Sequence, residues 1–510
     1  MRLLQSAKYI LAAIVGCVFI SVSAQDSIYY KASAIGSISS GDFAPYYISS
    51  LNNGIMPHGD NALLRVSAWK PISTATRFSW GFGVDVLSGY RSTVDYLEGN
   101  PANPTGVSTV KLNPLWVQQL YAEVKYRGVF LTAGLKQQKS KMLNNRLSSG
   151  DWVESGNARP IPEVRVGFID FQNIPFTKGW MQICGAISYG RSTDSRWVKQ
   201  QYNHFNSHIA QNTWYSYKYA YFRTNPDVPF SVTFGAQAAA TFGGYSEYYY
   251  NGVQTKVEER TATIVDMFDM FIPSLSSKEG YVAGNHLGSW DIMARYRFKD
   301  NTELKAYVQW PWEDGSGIGK LNGFDGIWGL EYSSGKQSWI NGAVIEYIDL
   351  TNQSGPLHWA PHDTPGTTIT GQATGGDEYY NNAFYNPYSH YGMSIGSPFL
   401  PSPLYNKDGY PQYIDNLVRG FHVGVMGNIN NNLEYRVLGG YRKGWGDGRI
   451  PRANAVENTS FMAEATYSLP MVDGLKFKAQ FAFDQGEMYG DNFGGSLTVS
   501  YSGNFNIGKK

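Results

Sequence analysis

Residues 474–484 read Gly-Leu-Lys-Phe-Lys-Ala-Gln-Phe-Ala-Phe-Asp. In an extended chain successive side chains point to opposite sides, so Leu475, Phe477, Ala479, Phe481 and Phe483 share one face. Lys476, Lys478 and Gln480 share the other. One face suits hydrocarbon and the other carries full charges. The spacing predicts that the odd positions face lipid while Lys476 and Lys478 face a lumen.

The same alternation returns along the chain. Leu304, Ala306, Val308 and Trp310 alternate with Glu303, Lys305 and Gln309. Leu120, Ala122, Val124 and Tyr126 alternate with Gln119, Glu123 and Lys125. Trp290, Ile292, Ala294, Tyr296 and Phe298 alternate with Asp291, Arg295 and Arg297. Strands are predicted at 31–39, 62–70, 76–88, 115–126, 128–136, 161–169, 180–190, 213–223 and 229–242. A second half follows at 287–298, 301–311, 324–333, 338–348, 418–428, 431–441, 458–469, 474–484 and 493–502.

A soluble sandwich also alternates, so the connections decide. Short links at 71–75, 127, 299–300, 334–337, 429–430 and 470–473 alternate with long ones at 89–114, 137–160, 191–212, 243–286, 349–417 and 442–457. That is the pattern of an all-β, transmembrane antiparallel outer-membrane β-barrel, with long extracellular loops and short periplasmic turns. About eighteen strands are expected, an even number that leaves both ends on the short-turn side. Lipid offers no hydrogen-bond partners, so such a sheet must close on itself. Trp69, Trp80, Tyr126, Trp310, Tyr441, Tyr467 and Tyr501 lie near strand ends, where interfacial girdles form.

Composition agrees. The 510 residues carry 42 Lys+Arg against 41 Asp+Glu, for a formal charge of +1, so no basic excess marks a nucleic-acid partner. Aromatic residues reach 15% while charged residues are 16%, against ~25% charged in an ordinary soluble domain.

Residues 1–24 have the form of a signal peptide. Arg2 and Lys8 precede the apolar run at 9–20, and Val22-Ser23-Ala24 offers a cleavage site before Gln25. Ile14-Val15-Gly16-Cys17 also fits a lipoprotein box, which is the alternative. Residues 25–510 are expected to form one barrel domain in the cell outer membrane, inserted by the barrel-assembly machinery, in contact with outer-membrane lipid and monomeric. After cleavage only Cys184 remains, in a strand-like run, where a small apolar packing role is expected.

The segments SGNARPIPEVRVGF at 155–168, PFTKGW at 175–180 and YG at 189–190 go together with three others. These are FAPYYISSLNNGIMP at 43–57, EYYNNAFY at 378–385 and YGMSIGSPF at 391–399. In order and over nearly the whole chain, this resembles the Wzi family of capsule assembly proteins in its Bacteroidetes-like form. The resemblance implies an eighteen-stranded outer-membrane barrel that acts as a lectin-like anchor for capsular polysaccharide. Enterobacterial members carry a helical N-terminal bundle, whereas residues 25–61 here are short and rich in Gly and Ser, which puts a periplasmic plug in doubt.

Several motifs have two readings. Gly392-Met393-Ser394-Ile395-Gly396 matches a nucleophile elbow, but Pro398, Pro401 and Pro403 forbid the helix that must follow. A turn is expected, the alternative being a membrane hydrolase using Ser394 and His390. Gly315 to Lys320 lacks phosphate-loop spacing and is expected to be a loop. His358, His362 and Asp363 sit among Pro361 and Pro365, so no metal is expected there, and no cofactor anywhere.

The long loop 349–417 holds the candidate polysaccharide-binding residues Trp359, Tyr379, Tyr380, Tyr385, Tyr388 and Tyr391, interleaved with Asn381 and Asn382. Sugars stack C–H faces on such rings while amides take the hydroxyls. The same residues could also pack the loop as a lid over the lumen, with their hydroxyls satisfied internally, and the two readings are compatible. Arg159, Glu163 and Arg165 form one more constellation, and its two arginines complete the set, since a guanidinium fork suits the carboxylate of an acidic sugar. Their alternative is a lumenal ion-pair network with Glu123, Arg295, Arg297 or Glu434. A non-enzymatic lectin that anchors or assembles surface polysaccharide is expected, with a solute channel as the leading rival.

Overall fold

The computed structural model describes residues 26–507 apart from 111, 261, 272–283, 314, 356–357, 360–372 and 375. The signal peptide expected at 1–24 lies outside the described residues, as do His362 and Asp363. Eighteen long strands run β1 Asp26–Ser39, β2 Asn61–Lys70, β3 Phe78–Arg91, β4 Leu115–Tyr126, β5 Val129–Leu135 and β6 Glu163–Phe168. They continue as β7 Met181–Arg191, β8 Trp214–Thr224, β9 Phe230–Phe242, β10 Asn285–Arg297, β11 Glu303–Trp312 and β12 Gly326–Ser333. The last six are β13 Gly342–Asp349, β14 Val418–Asn430, β15 Leu433–Gly446, β16 Pro451–Ser468, β17 Leu475–Gly486 and β18 Asn492–Ile507.

Each strand pairs antiparallel with the next, and β1 pairs with β18 from Asp26↔Ile507 to Ser39↔Gly494, which closes the barrel. Closure leaves no edge strand with unpaired backbone groups in lipid. No described helix is long and apolar enough to cross a membrane. An even strand number brings Asp26 and Ile507 to the end that carries the short turns.

The alternation falls as the sequence predicts. Leu120, Val124 and Phe481 are exposed on the outer wall, while Glu123, Lys125 and Gln480 are buried inside. Lys478 turns inward and lies 3.7 Å from Glu464. Tyr29 stacks on Trp69 near one rim, and Trp310 meets Trp328 edge-on near the other.

One predicted connection is corrected. The segment 442–457 is not a long loop, because β15 and β16 extend beyond the membrane and are joined through 447–450. Backbone pairing continues there although the alternation of apolar residues stops, since above the membrane neither face needs to be apolar. The other long connections carry their own structure, including a hairpin of Asp95–Asn100 with Asn103–Thr109 and a three-stranded sheet of His208–Gln211, Gly244–Tyr250 and Val253–Arg260. No helical bundle precedes the barrel among the described residues, and 40–60 holds only the single turn Tyr46–Ser49.

Candidate functional site

What fills the barrel decides where a site can lie. Loop 136–162 runs down into the lumen. At its tip Arg146 reaches Glu434 at 2.5 Å, and Asn144 donates to Glu331 at 3.3 Å, both near the short-turn end of their strands. The inner face of β14 is shaped to receive it. His422 bonds the Leu147 carbonyl at 2.7 Å and the Tyr47 hydroxyl at 2.8 Å. Beside it, Gly424 lets that backbone approach, for a Cβ there would sit 2.5 Å from the Leu147 oxygen.

The second filling segment comes from the loop between β13 and β14. Trp152 from the first loop stacks on Tyr380 at 4.4 Å and meets Tyr379 edge-on. Phe399, Leu400 and Tyr413 complete this cluster, fully buried. The wall opposite is β8, whose inward side chains Tyr215, Tyr217, Tyr219 and Tyr221 are buried against it.

The tyrosine hydroxyls of this cluster are internally satisfied, although the Trp152 indole N–H has no partner. The Tyr379 hydroxyl donates to Asp325 at 2.9 Å and accepts from Asn322 at 2.8 Å. Tyr380 donates to the Trp152 carbonyl, Tyr388 to the Val153 carbonyl at 2.9 Å, and Tyr413 to the Tyr388 carbonyl at 2.8 Å. Asn381 exchanges both amide bonds with the Tyr413 backbone. Asn382 caps the turn ahead of it by accepting from Phe384 and Tyr385. Tyr385 is 5% exposed and lies beside Arg260. Burial raises the hydroxyls of Tyr380, Tyr388 and Tyr413 well above the usual phenol range. Of the two readings of this loop, the arrangement is that of a packed lid. The Trp359 backbone pairs with Ala373, and its side chain lies outside the described residues.

Arg165 is also internal. Its guanidinium forks onto Glu154 at 2.9 and 2.6 Å, with Glu163 on its other side at 2.8 Å. An ion-pair network does line the lumen, through Lys136–Glu123, Arg295–Glu303, Arg297–Glu303 and Arg436–Glu464. Glu163 is the acid the sequence groups with Arg165, while Glu154 takes the place of the distant partners expected, because loop 136–162 brings it to the guanidinium.

Arg159 and Tyr391 have a different setting. Five long loops meet at the outer mouth around a cleft of about 290 Å³. Arg91, Arg159 and Arg196 line it, with His58, Trp116, Trp197 and Tyr391. Arg159 lies over the Tyr391 ring at 4.2 Å, and Arg91 over the Trp116 ring at 4.0 Å. Tyr391 has φ +51° and Gly392 +73°, the two positive values of a type I′ turn between Ser389–His390 and Met393–Ser394. That turn holds the Tyr391 ring beneath Arg159. Asp194 is the nearby acid, but it accepts from the Tyr391 backbone at 2.9 Å and from Ser192. His58 is buried, and its Nδ1 has no hydrogen-bond partner. Burial, with Arg91 beside it, pushes His58 down to about 3, and burial also lowers Arg159.

The sequence singled out Arg159 and Tyr391 but missed Arg91, Arg196 and His58, which lie 68 residues or more from Arg159 or in another loop, and carry no local motif. The hydrolase alternative does not assemble. Ser394 donates to the Ser397 carbonyl at 3.3 Å, while His390 bonds the Arg159 carbonyl at 2.8 Å and Thr193 at 3.2 Å. Gly315–Ile318 forms a single helical turn rather than an open loop. Among the described residues no group of three or more His, Cys, Asp or Glu could hold a metal.

No protein-family model and no curated protein matches the sequence. Solved structures do match the fold. One is Wzi of Escherichia coli, described as an outer-membrane protein involved in group 1 capsule assembly and a carbohydrate-binding β-barrel; it matches with a TM-score of 0.55 and 10% identity over 97% of this chain and 87% of that one. OccAB2 of Acinetobacter baumannii matches with a TM-score of 0.49 and 9% identity over 95% of this chain and 100% of that one. The chain is thus a closed, eighteen-stranded antiparallel barrel of the outer membrane.

Proposed function

We propose that the protein holds capsular or related surface polysaccharide at the cell exterior, as a non-enzymatic lectin-like barrel. One asymmetry carries the reading. Tyr379, Tyr380, Tyr388 and Tyr413 in the lumen have their hydroxyls bonded internally, while the cleft at the outer mouth keeps Arg91 and Arg159 over aromatic rings with no carboxylate in its lining. A polymer can engage many such weak subsites at once and be retained by multivalency. The fold shared with a carbohydrate-binding barrel supports this, as does the resemblance of segments 155–168 and 391–399 to the Wzi family. Arg159 and Tyr391 are the contact residues proposed, with the buried tyrosines of loop 349–417 holding the plug that supports them. The test measures cell-bound against shed polysaccharide in a deletion strain. Release of polymer into the medium is expected, and unchanged retention in a capsule-producing strain overturns the proposal.

A solute channel is the second reading. In its favour, a cavity of about 40 Å³ lined by Asn53, Lys136 and Gln138 shares Arg159 with the outer cleft. Another, of about 180 Å³, is lined by Arg146, Arg436 and Lys478 deeper in the lumen. A stable, large conductance of the intact protein in planar bilayers would establish the channel. A silent bilayer supports the plugged barrel.

A further inference from the structure

The outer cleft carries a chemical bias that a site for neutral sugar would not need. Arg91, Arg159 and Arg196 bring three guanidinium groups to one space of about 290 Å³, and no carboxylate lines it. Among the described residues none of the three forms an ion pair, whereas Arg65, Lys136, Arg165 and Arg436 inside the barrel each meet a carboxylate. Arg91 and Arg159 are only partly exposed, held by the faces of Trp116 and Tyr391 instead of by acids. A ring face stabilises a cation without neutralising it. Gathering like charges in a partly dry cleft costs free energy that an anion entering it would recover. His58 adds a second sign, a buried side chain in the same wall whose Nδ1 lacks a partner.

We infer that this cleft selects saccharides bearing a carboxylate, such as uronic acids, with the carboxylate held between Arg91 and Arg159 and Arg196 at the rim. The inference rests on the glycan-binding reading above and names its substrate class. Planar guanidinium forks match carboxylate oxygens in pairs, which a lysine cluster would not do. The positive φ of Gly54 matters here, because a Cβ at that position would sit 2.8 Å from the Arg159 Cγ. The turn at 52–54 therefore leaves the room in which the Arg159 side chain lies. Arg196 sits on the helix Ser195–Gln201, exposed at the entrance, where it can meet a passing polymer first.

The test titrates the full protein in detergent with oligogalacturonate and with its methyl ester, the same backbone lacking the charge. Calorimetry gives affinity, and heat-modifiable migration in gels reports that the barrel is intact. The acid is expected to bind at least about tenfold more tightly than the ester, and Arg159→Gln to lose about that factor. Arg91→Gln should lose a similar factor, and the exposed Arg196→Gln a smaller one, with no effect on folding. Equal binding of acid and ester overturns the carboxylate assignment and leaves the glycan reading standing. Acid preference untouched by any of the three substitutions overturns this cleft as its source. Binding of neither saccharide overturns the inference and removes support from the glycan reading as well.

Discussion

The plug around Tyr379, Tyr380, Tyr388 and Tyr413 and the outer cleft are built from the same alphabet of tyrosine, tryptophan and amide, yet they do opposite things. In the plug, Tyr379, Tyr380 and Tyr413 are fully buried and each hydroxyl has a named internal partner. In the cleft, Tyr391 supports a guanidinium that has no carboxylate. A satisfied aromatic cluster rigidifies, whereas an unsatisfied one has chemistry left over for a ligand. Composition cannot separate the two. The pairing of polar groups can.

The comparison breaks most visibly if the plug is removed. Deleting 377–391 takes out Tyr379, Tyr380 and Tyr388, together with Tyr391 of the cleft, so a bilayer silent with the intact protein should show large, stable steps with the deleted form. Silence in both would mean that loop 136–162 closes the bore alone. Next in size is Arg165→Ala, which strands Glu154 and Glu163 without their shared cation. A loss of about 3–5 kcal/mol is expected in denaturant unfolding from detergent or bilayers. Tyr380→Phe removes the hydroxyl shared by the Trp152 carbonyl and the Ser397 amide, both buried, and should cost about 1–3 kcal/mol by the same measurement.

A smaller effect comes from acid. His58 is pushed down to about 3 in the fold, below its ordinary 6.5, so the folded state binds fewer protons than the unfolded chain between these values. Its neutral form is compatible with the fold above pH 6.5, and stability falls as pH drops from there toward 3. Replacing His58 by Gln should flatten that part of the pH–stability curve. The smallest effect expected is that of Ser394→Ala, whose hydroxyl donates to the Ser397 carbonyl at a long 3.3 Å. Labelling by a fluorophosphonate that disappears in this variant would revive the hydrolase reading.

Strands were legible because lipid on one side and a polar lumen on the other impose a period of two along most of them. Leu120 against Glu123 and Phe481 against Gln480 show it directly. The reading failed at β15 and β16, where pairing runs past the membrane and the period is no longer enforced. The loop aromatics could be found but not assigned, since a tyrosine that binds sugar and a tyrosine that fills a lumen have the same sequence signature. Arg165 can be grouped with Glu163 from the sequence but not with Glu154, for a related reason. Its acids Glu154 and Glu163 lie eleven and two residues away, but only the inward dip of loop 136–162 brings Glu154 onto the guanidinium.

By itself the sequence determined the barrel, its strand number and which side chains face lipid, because those follow from local alternation and the solvent on each face. The tertiary structure alone decided which segments fill the bore, that Tyr379 to Tyr388 belong to the filling, and that Arg91, Arg159 and Arg196 share one cleft. These facts depend on how far each long loop folds back and what it meets. No periodic constraint acts on a loop, and its partners are set by contacts between segments distant in the chain.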